Sequence, residues 1–324
     1  MQDFIYWREE DMQVEKSILQ LFPIESRSFW MKTAEHQGKI QQIRLRVFQP
    51  ISIQIYGRET FLNQDGNFTE KVREAARVNP GELENFVNHI CRYSLYAYEE
   101  ELRQGYITVE GGHRVGIAGQ AVQQECGTVR TIKNISFINI RIAHEIKGAA
   151  DEVIKKMYKN GRLQNTLIIS PPGCGKTTLL RDLIRQVSDG NSYGKGMSVG
   201  VIDERSELAG CVQGVPQLDV GMRTDVMDAC PKKYGMMMLL RSMSPGVIAI
   251  DELGNEEEFE CLKSAASCGC RILATVHGEN LYSVERRFGM EKKFWGSLFD
   301  WCLVLKKEPL TGRIIVAEED MENV

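Results

Sequence analysis

The run TLIISPPGCGKTTLLRDLI reads as an apolar strand, a glycine-containing loop and a helix, with Gly175, Lys176 and Thr177 at the loop's end. That order makes a phosphate-binding loop: backbone N–H groups and the positive end of the helix face an anion, the lysine reaches its terminal phosphates, and the hydroxyl binds magnesium. Pro172, Gly173, Cys174, Gly175, Lys176, Thr177 and Thr178 are the expected nucleotide contacts, with ATP and Mg2+ as the expected cofactors. One position departs from G-x-x-x-x-G-K-[ST], which asks for glycine where this chain has Ser170. A small serine can follow a strand, but a non-glycine residue forced to positive φ would impair the loop.

Magnesium also needs a carboxylate at the end of a neighbouring strand, and GVIAIDELG supplies one in Asp251, so Thr177 and Asp251 are the expected metal-side residues. Glu252 follows directly, placed to polarise an attacking water, and this Asp-Glu pair points to hydrolysis rather than binding alone. Between the two elements lies MSVGVIDERSELAG, an extra apolar strand ending in Asp203 and Glu204, and downstream RILATVHGE ends a further strand in Thr275, Val276 and His277. Thr275 and His277 are candidates for sensing the terminal phosphate. Arginines stabilise the charge that develops in phosphoryl transfer, and Arg205, Arg223, Arg241 and Arg271 are the candidates, Arg205 and Arg223 foremost.

These residues need strands and helices to hold them. TLIIS, MSVGVID, GVIAID and RILATV are short and nearly all apolar, as strands buried on both faces of a helix-covered parallel sheet are. The expected fold is α/β: a RecA-like or AAA-like P-loop NTPase core with a mainly parallel sheet over 149–324, preceded by a smaller α+β domain over 1–148. In that first half VEKSILQLF has helical spacing, IQQIRLRVFQPISIQIYG alternates as strands do, and NPGELENFVNHICRYSLYAYEEELRQG reads as helix. Gly111 and Gly112 divide two alternating runs as a hairpin turn would, and SFINIRIA is a further strand. ADEVIKKMYKNG is a bridging helix, the methionines at 236–238 fill a core or interface, and DWCLVLKK with GRIIVAEE makes a terminal hairpin around Pro309 and Gly312.

Composition sets outer limits. Of 324 residues 43% are hydrophobic and 26% charged, which fits a folded globular chain. The net charge is −4, and residues 1–150 carry 18 basic against 19 acidic side chains, so the chain lacks the clustered positive charge that phosphate-backbone binding needs. Nine scattered cysteines fit reduced thiols, and Cys268-Gly269-Cys270 reads as a packed helix end rather than a zinc half-site. The N-terminus MQDFIYWREEDMQ has acids where a secretion signal needs basic and apolar residues, and no apolar run approaches the roughly 18 residues of a membrane span. Direct membrane insertion is not expected.

Taken together, SPPGCGKTTLLRDLIR, VIDERSELAG, VGMRTDVMDACPKKYGM and VIAIDELG resemble the ATPase family called stage III sporulation protein AA, a relative of the type II and type IV secretion ATPases. QQIRLRVFQPISI, YAYEEELRQGYITVEGGHRVGIAG and ISFINIRIAHEIKG extend the likeness into the first half. The resemblance implies a cytoplasmic homo-oligomer, a hexameric ring, that powers or gates a membrane-embedded channel during endospore formation. It would lie at the mother-cell side of the forespore membrane, held there by membrane-protein partners. It also implies a site formed by Glu204, Lys176, Asp251 with Glu252, and His277, and adds Arg114, Arg130 and Arg141 as candidate contacts from the first half. Two other readings stay open at this point: a nucleic-acid-stimulated ATPase, against which the charge speaks, and a nucleotide-dependent scaffold with little turnover, which Ser170 motivates.

Overall fold

The structure, a computed structural model, describes residues 17–124, 128–307 and 314–320. The chain divides into two compact units between Glu145 and Ile146. In the first, strands β1 (Ile40–Arg46), β2 (Ser52–Ile55), β3 (Arg58–Leu62), β4 (Phe68–Thr69), β5 (Tyr106–Val109), β6 (His113–Gln123) and β7 (Val129–Arg141) form one sheet. Its order is β4-β3-β2-β1-β7-β6-β5, with every neighbouring pair antiparallel. Helices α1 (Arg27–Glu35), α2 (Pro80–Ile90) and α3 (Glu99–Gln104) share its core, where Trp30 stacks on Phe22 at 3.9 Å between ring centroids.

Local chemistry sets these boundaries. Asn79 and Glu82 form a reciprocal capping box with Pro80 at the first helical position, so α2 starts where its backbone N–H groups first find partners. The segment read as a single helix from Pro80 onward breaks after Ile90, because Arg92 and Tyr93 take left-handed backbone (φ 48° and 59°), and α-helix resumes only at Glu99, after a 3₁₀ turn at Leu95–Tyr98. Gly111 and Gly112 both have positive φ between β5 and β6, as a tight hairpin requires. The helical pattern at VEKSILQLF reduces, in its described part, to one 3₁₀ turn at Ile18–Leu21.

The second unit carries α4 (Asp151–Ile154), the small ribbon β8 (Tyr158–Lys159) and β9 (Arg162–Leu163), then β10 (Thr166–Ser170) and α5 (Lys176–Asp189). A ribbon of β11 (Gly190–Asn191) and β12 (Gly194–Lys195) follows, then β13 (Val199–Asp203), β14 (Thr224–Asp228), α6 (Lys232–Ser242) and β15 (Val247–Ile250). The unit closes with α7 (Glu256–Ser267), β16 (Arg271–His277), α8 (Leu281–Phe288), α9 (Lys292–Leu298), β17 (Trp301–Lys307) and β18 (Ile314–Asp320). Its main sheet runs β14-β13-β15-β16-β10-β17-β18, parallel throughout except for β18, which pairs antiparallel with β17. The expected terminal hairpin is thus present as strands, while Pro309 and Gly312 lie outside the described residues.

Strand residues alternate between two cores. Ile168, Val201, Ala249 and Leu273 join α4 and α5, while Leu167, Ile169, Ile202, Ile250 and Ala274 join α6, α7, α8 and α9. This two-sided burial explains the unbroken apolar runs. β13, which intervenes in sequence between the phosphate-loop strand and the Asp251 strand, lies beyond β15 in space, and β16 is the strand that separates β10 from β15. β14 (TDVMD) carries too little apolar patterning to be read as a strand, since it flanks only β13 and its residues are half-buried. The ADEVIKKM segment is helical only over α4 and a following 3₁₀ turn. Met236 enters the core, whereas Met238 is exposed.

Trp295, fully buried among Phe259, Phe288, Phe294 and Phe299, anchors the second core. Trp295→Ala is expected to destabilise this unit by about 3–5 kcal/mol, read as a lowered urea midpoint followed by far-ultraviolet circular dichroism.

Candidate functional site

The loop from Pro171 to Gly175 joins the last residue of β10 to the first turn of α5. Its two left-handed positions are both glycines, Gly173 (φ 74°) and Gly175 (φ 76°), and Ser170 is not among the positive-φ residues. Ser170 instead remains in the ladder opposite His277, fully buried, with its hydroxyl donating to the Pro171 carbonyl at 2.7 Å. The glycine missing from the sequence pattern is therefore not needed for backbone freedom. Pro172 and Gly173 are exposed at the loop's crest, Cys174 is buried with its thiol 3.9 Å from the Pro172 carbonyl, and Thr178 is half-buried on the first turn of α5.

Lys176 and Thr177 both turn toward Asp251. The Thr177 hydroxyl donates to Asp251 Oδ2 at 2.9 Å, and Lys176 Nζ lies 3.7 Å from Oδ1. Oδ1 also accepts the Thr275 hydroxyl at 2.6 Å, and the same Thr275 oxygen accepts the Glu252 backbone N–H at 2.8 Å. Strand register produces this contact: Ile250 pairs with Ala274, so the next residues, Asp251 and Thr275, sit side by side. Glu252 has left-handed backbone (φ 57°), a conformation that costs a non-glycine residue on the order of 1–3 kcal/mol. Its carboxylate is held from both sides, by Arg205 Nη1 at 2.9 Å and His277 Nε2 at 3.2 Å. His277 Nδ1 lies 3.3 Å from the Ser170 carbonyl, so both ring nitrogens face oxygen acceptors.

A third loop, after β13, brings Glu204 and Arg205. Asp203 is buried and accepts the backbone N–H groups of Glu207, Leu208 and Ala209 at 2.8–3.0 Å. Burial pushes its carboxyl above the ordinary range, against the downward pull of those three donors. Arg181 of α5 holds the same loop from the other side, donating to the Leu208 and Glu207 carbonyls at 2.5 and 2.7 Å. Glu204 is ion-paired with Lys232, the first residue of α6. Asp203 is thus a scaffold for the loop, and Glu204 and Arg205 are the residues it presents.

A magnesium ion is favoured by hard oxygen donors and keeps several of its ligands from water or phosphate. Thr177 Oγ1 and Asp251 Oδ2, already within 2.9 Å of one another, are such a donor pair. Among the described residues no cluster of three or more His, Cys, Asp or Glu could hold a metal by itself. Thr177 and Asp251 therefore fit a magnesium that takes its remaining ligands from water or phosphate.

The model of the family described as sporulation stage III, protein AA, matches residues 12–321. The chain belongs to this family. Stage III sporulation protein AA of Bacillus subtilis (strain 168) is 37% identical over 298 residues, covering 92% of this chain and 92% of that protein. The uncharacterized protein ycf45 of Cyanidium caldarium is 28% identical over 185 residues, covering 55% of this chain and 52% of that one. Among solved structures, the Legionella pneumophila ATPase DotB gives a TM-score of 0.59 at 18% identity, covering 94% of this chain and 82% of its own. The pilus retraction motor PilT, solved with bound ADP, gives 0.62 at 16% identity with the same coverages. At these identities the likeness is one of fold: a RecA-like P-loop core with an N-terminal domain before it.

In this chain the four candidate arginines of the second unit separate by strand polarity. Arg205 follows the C-terminal end of β13 and reaches the site. Arg223 immediately precedes β14, and its guanidinium donates to the carbonyls of Ser188 and Asp189 at the far end of α5, so within the chain it does not meet the phosphate loop. Arg241 lies in the last turn of α6 and Arg271 starts β16, which puts both toward the same opposite edge of the sheet. In the first unit Arg114 and Arg141 are directly opposed across β6 and β7, with Arg114 stacked over the Tyr106 ring at 3.5 Å, and Arg130 lies near the start of β7. Sequence reasoning missed Arg181 and Lys232, whose roles depend on loops far away in the chain. It read Thr275 as a phosphate sensor without its bond to Asp251.

Two outcomes test this geometry. Thr275→Val, which leaves the Glu252 N–H and one Asp251 lone pair without their partner, is expected to destabilise the chain by about 1–3 kcal/mol in urea titration, and Thr275→Ser to restore it. Ser170→Gly is expected to leave nucleotide affinity within about two-fold in a fluorescent-nucleotide titration, because position 170 does not use glycine's freedom.

Proposed function

We propose that this chain is a magnesium-dependent ATPase that works as a ring-shaped, hexameric homo-oligomer and energises or gates a membrane-embedded channel during endospore formation. The observation that carries the catalytic part is the convergence of Thr177, Asp251, Thr275 and Glu252, in which one buried hydroxyl sets both the metal-side carboxylate and the backbone of its catalytic neighbour. The loop's N–H groups and the N-terminus of α5 cradle the phosphates of ATP, and Lys176 turns from Asp251 to the terminal phosphate. Thr177 and Asp251 hold magnesium, which when bound neutralises charge on the phosphate oxygens. Glu252 accepts a proton from the attacking water, His277 follows the terminal phosphate, and Arg205 is the same-chain cation placed for the developing charge. Glu204 completes the acidic side of the site.

Family membership supports the sporulation setting, and the folds of the DotB ATPase and the PilT motor support a ring that converts hydrolysis into movement of residues 1–148 against 149–324. Arg223, remote from its own chain's site, is proposed to serve a neighbouring subunit's site, with Arg114, Arg130 and Arg141 as further candidates for that contact. Among the described residues no helix is long and apolar enough to cross a membrane. In the proposed role, membrane-protein partners hold the chain at the mother-cell side of the forespore membrane. The charge balance of the first half, 18 basic to 19 acidic side chains in residues 1–150, disfavours nucleic acid as the activator.

Glu252→Gln is expected to lower magnesium-dependent ATP turnover of size-resolved protein by roughly 10²-fold or more while fluorescent-nucleotide binding persists. Equal turnover in the variant and the parent would remove Glu252 from the chemistry.

A further inference from the structure

Lys232 is the least expected charge in the second unit. It opens α6 with its side chain only 9% exposed, ion-paired to Glu204 and 3.9 Å from Glu258 Oε1. Glu258, also buried, sits in the first turn of α7, where its Oε2 accepts the Gly254 N–H at 2.8 Å and its Oε1 accepts the Asn255 amide at 3.1 Å. Gly254 lies two residues beyond Glu252. One ammonium therefore ties the loop that follows β13 to the loop that follows β15. A buried ammonium persists only when paired, and without it two carboxylates would face each other, one of them sealed from water. The neighbouring Lys233 also forms an ion pair, 3.0 Å to Glu257, but with both side chains exposed.

We infer that Lys232 is a positioning residue for hydrolysis, fixing the distance between Glu204 and the backbone that carries Glu252 while, among the described residues, its own ammonium pairs with Glu204 and Glu258. This inference rests on the ATPase reading above. In that reading the phosphates are bound by Lys176, Thr177 and the loop, so Lys232 acts on the geometry of turnover and not on nucleotide affinity.

The test uses the full chain with magnesium and ATP. Lys232→Met is expected to lower kcat by about tenfold or more with KM within about twofold, and Lys232→Arg to recover most of that loss. Lys233→Met, which breaks the exposed pair, should behave as the parent. Because Lys232→Met also strands a buried carboxylate, it is paired with the double variant Lys232→Met, Glu258→Gln: melting temperature is expected to recover while kcat stays low. Recovery of kcat together with stability would reduce Lys232 to a structural ion pair. Hydrogen exchange gives a readout independent of turnover. Amides 207–209 and 253–255 should exchange faster in Lys232→Met than in the parent, and unchanged protection in either loop overturns the inference. Absence of turnover in the parent protein, with faster exchange of both loops in the variant, would overturn the ATPase reading alone.

Discussion

The arrangement depends on one constraint, the parallel alignment of β10, β13, β15 and β16 in a sheet buried on both faces. Apolar residues fill the strands, so polar side chains can emerge only where strands end, and parallel strands end at one edge. Ser170, Asp203, Asp251 and His277 are the first polar groups after four such runs, or the last residues within them. The same constraint sorts the arginines. A residue that follows a strand is delivered to this edge, and one that precedes a strand is delivered to the other, as Arg205 and Arg223 illustrate from positions only 18 residues apart.

Within that edge the geometry is finer than topology alone provides. Thr275 is completely buried, yet its hydroxyl has a donor and an acceptor role filled by adjacent residues of another strand's end. Such a fully satisfied buried group orients its partners strongly, since its alternatives inside the core are unpaired polar atoms. Glu252 is then held in a backbone conformation that its residue type disfavours, compensated by its N–H bond, Arg205 and His277. Strain of this kind collects where function needs a side chain aimed against local preference.

Most of the second unit's organisation was legible in sequence because burial on two faces leaves a plain signature, an unbroken apolar run ending in an acid, a serine or a histidine. The phosphate loop was legible for the same reason, and the doubt raised by Ser170 dissolved once the backbone showed Gly173 and Gly175 taking the positive φ angles. What escaped was whatever depends on distance in the chain. β14 is half-buried and polar, so it lacks the run. The kink after Ile90 comes from two non-glycine residues at positive φ, for which Arg92 and Tyr93 give no warning. Spatial strand order cannot be read from sequence order, which is why β16 rather than β13 separates β10 from β15. Arg181, Lys232 and Glu258 look like ordinary helix charges until these partners, 26 or more residues away, are known.

Arg181 has a mechanical side. It grips two carbonyls of the loop after β13 from within the phosphate-loop helix, while Asp203 grips three of that loop's N–H groups. Helix and loop are thereby fastened together by directional bonds that are buried or half-buried. The contact between Arg205 and Glu252 is of another kind: the arginine side chain is 59% exposed and the glutamate 25%, so water competes for both. The carboxylate of Glu252 is thereby joined to a firmly anchored loop through a contact that water can enter.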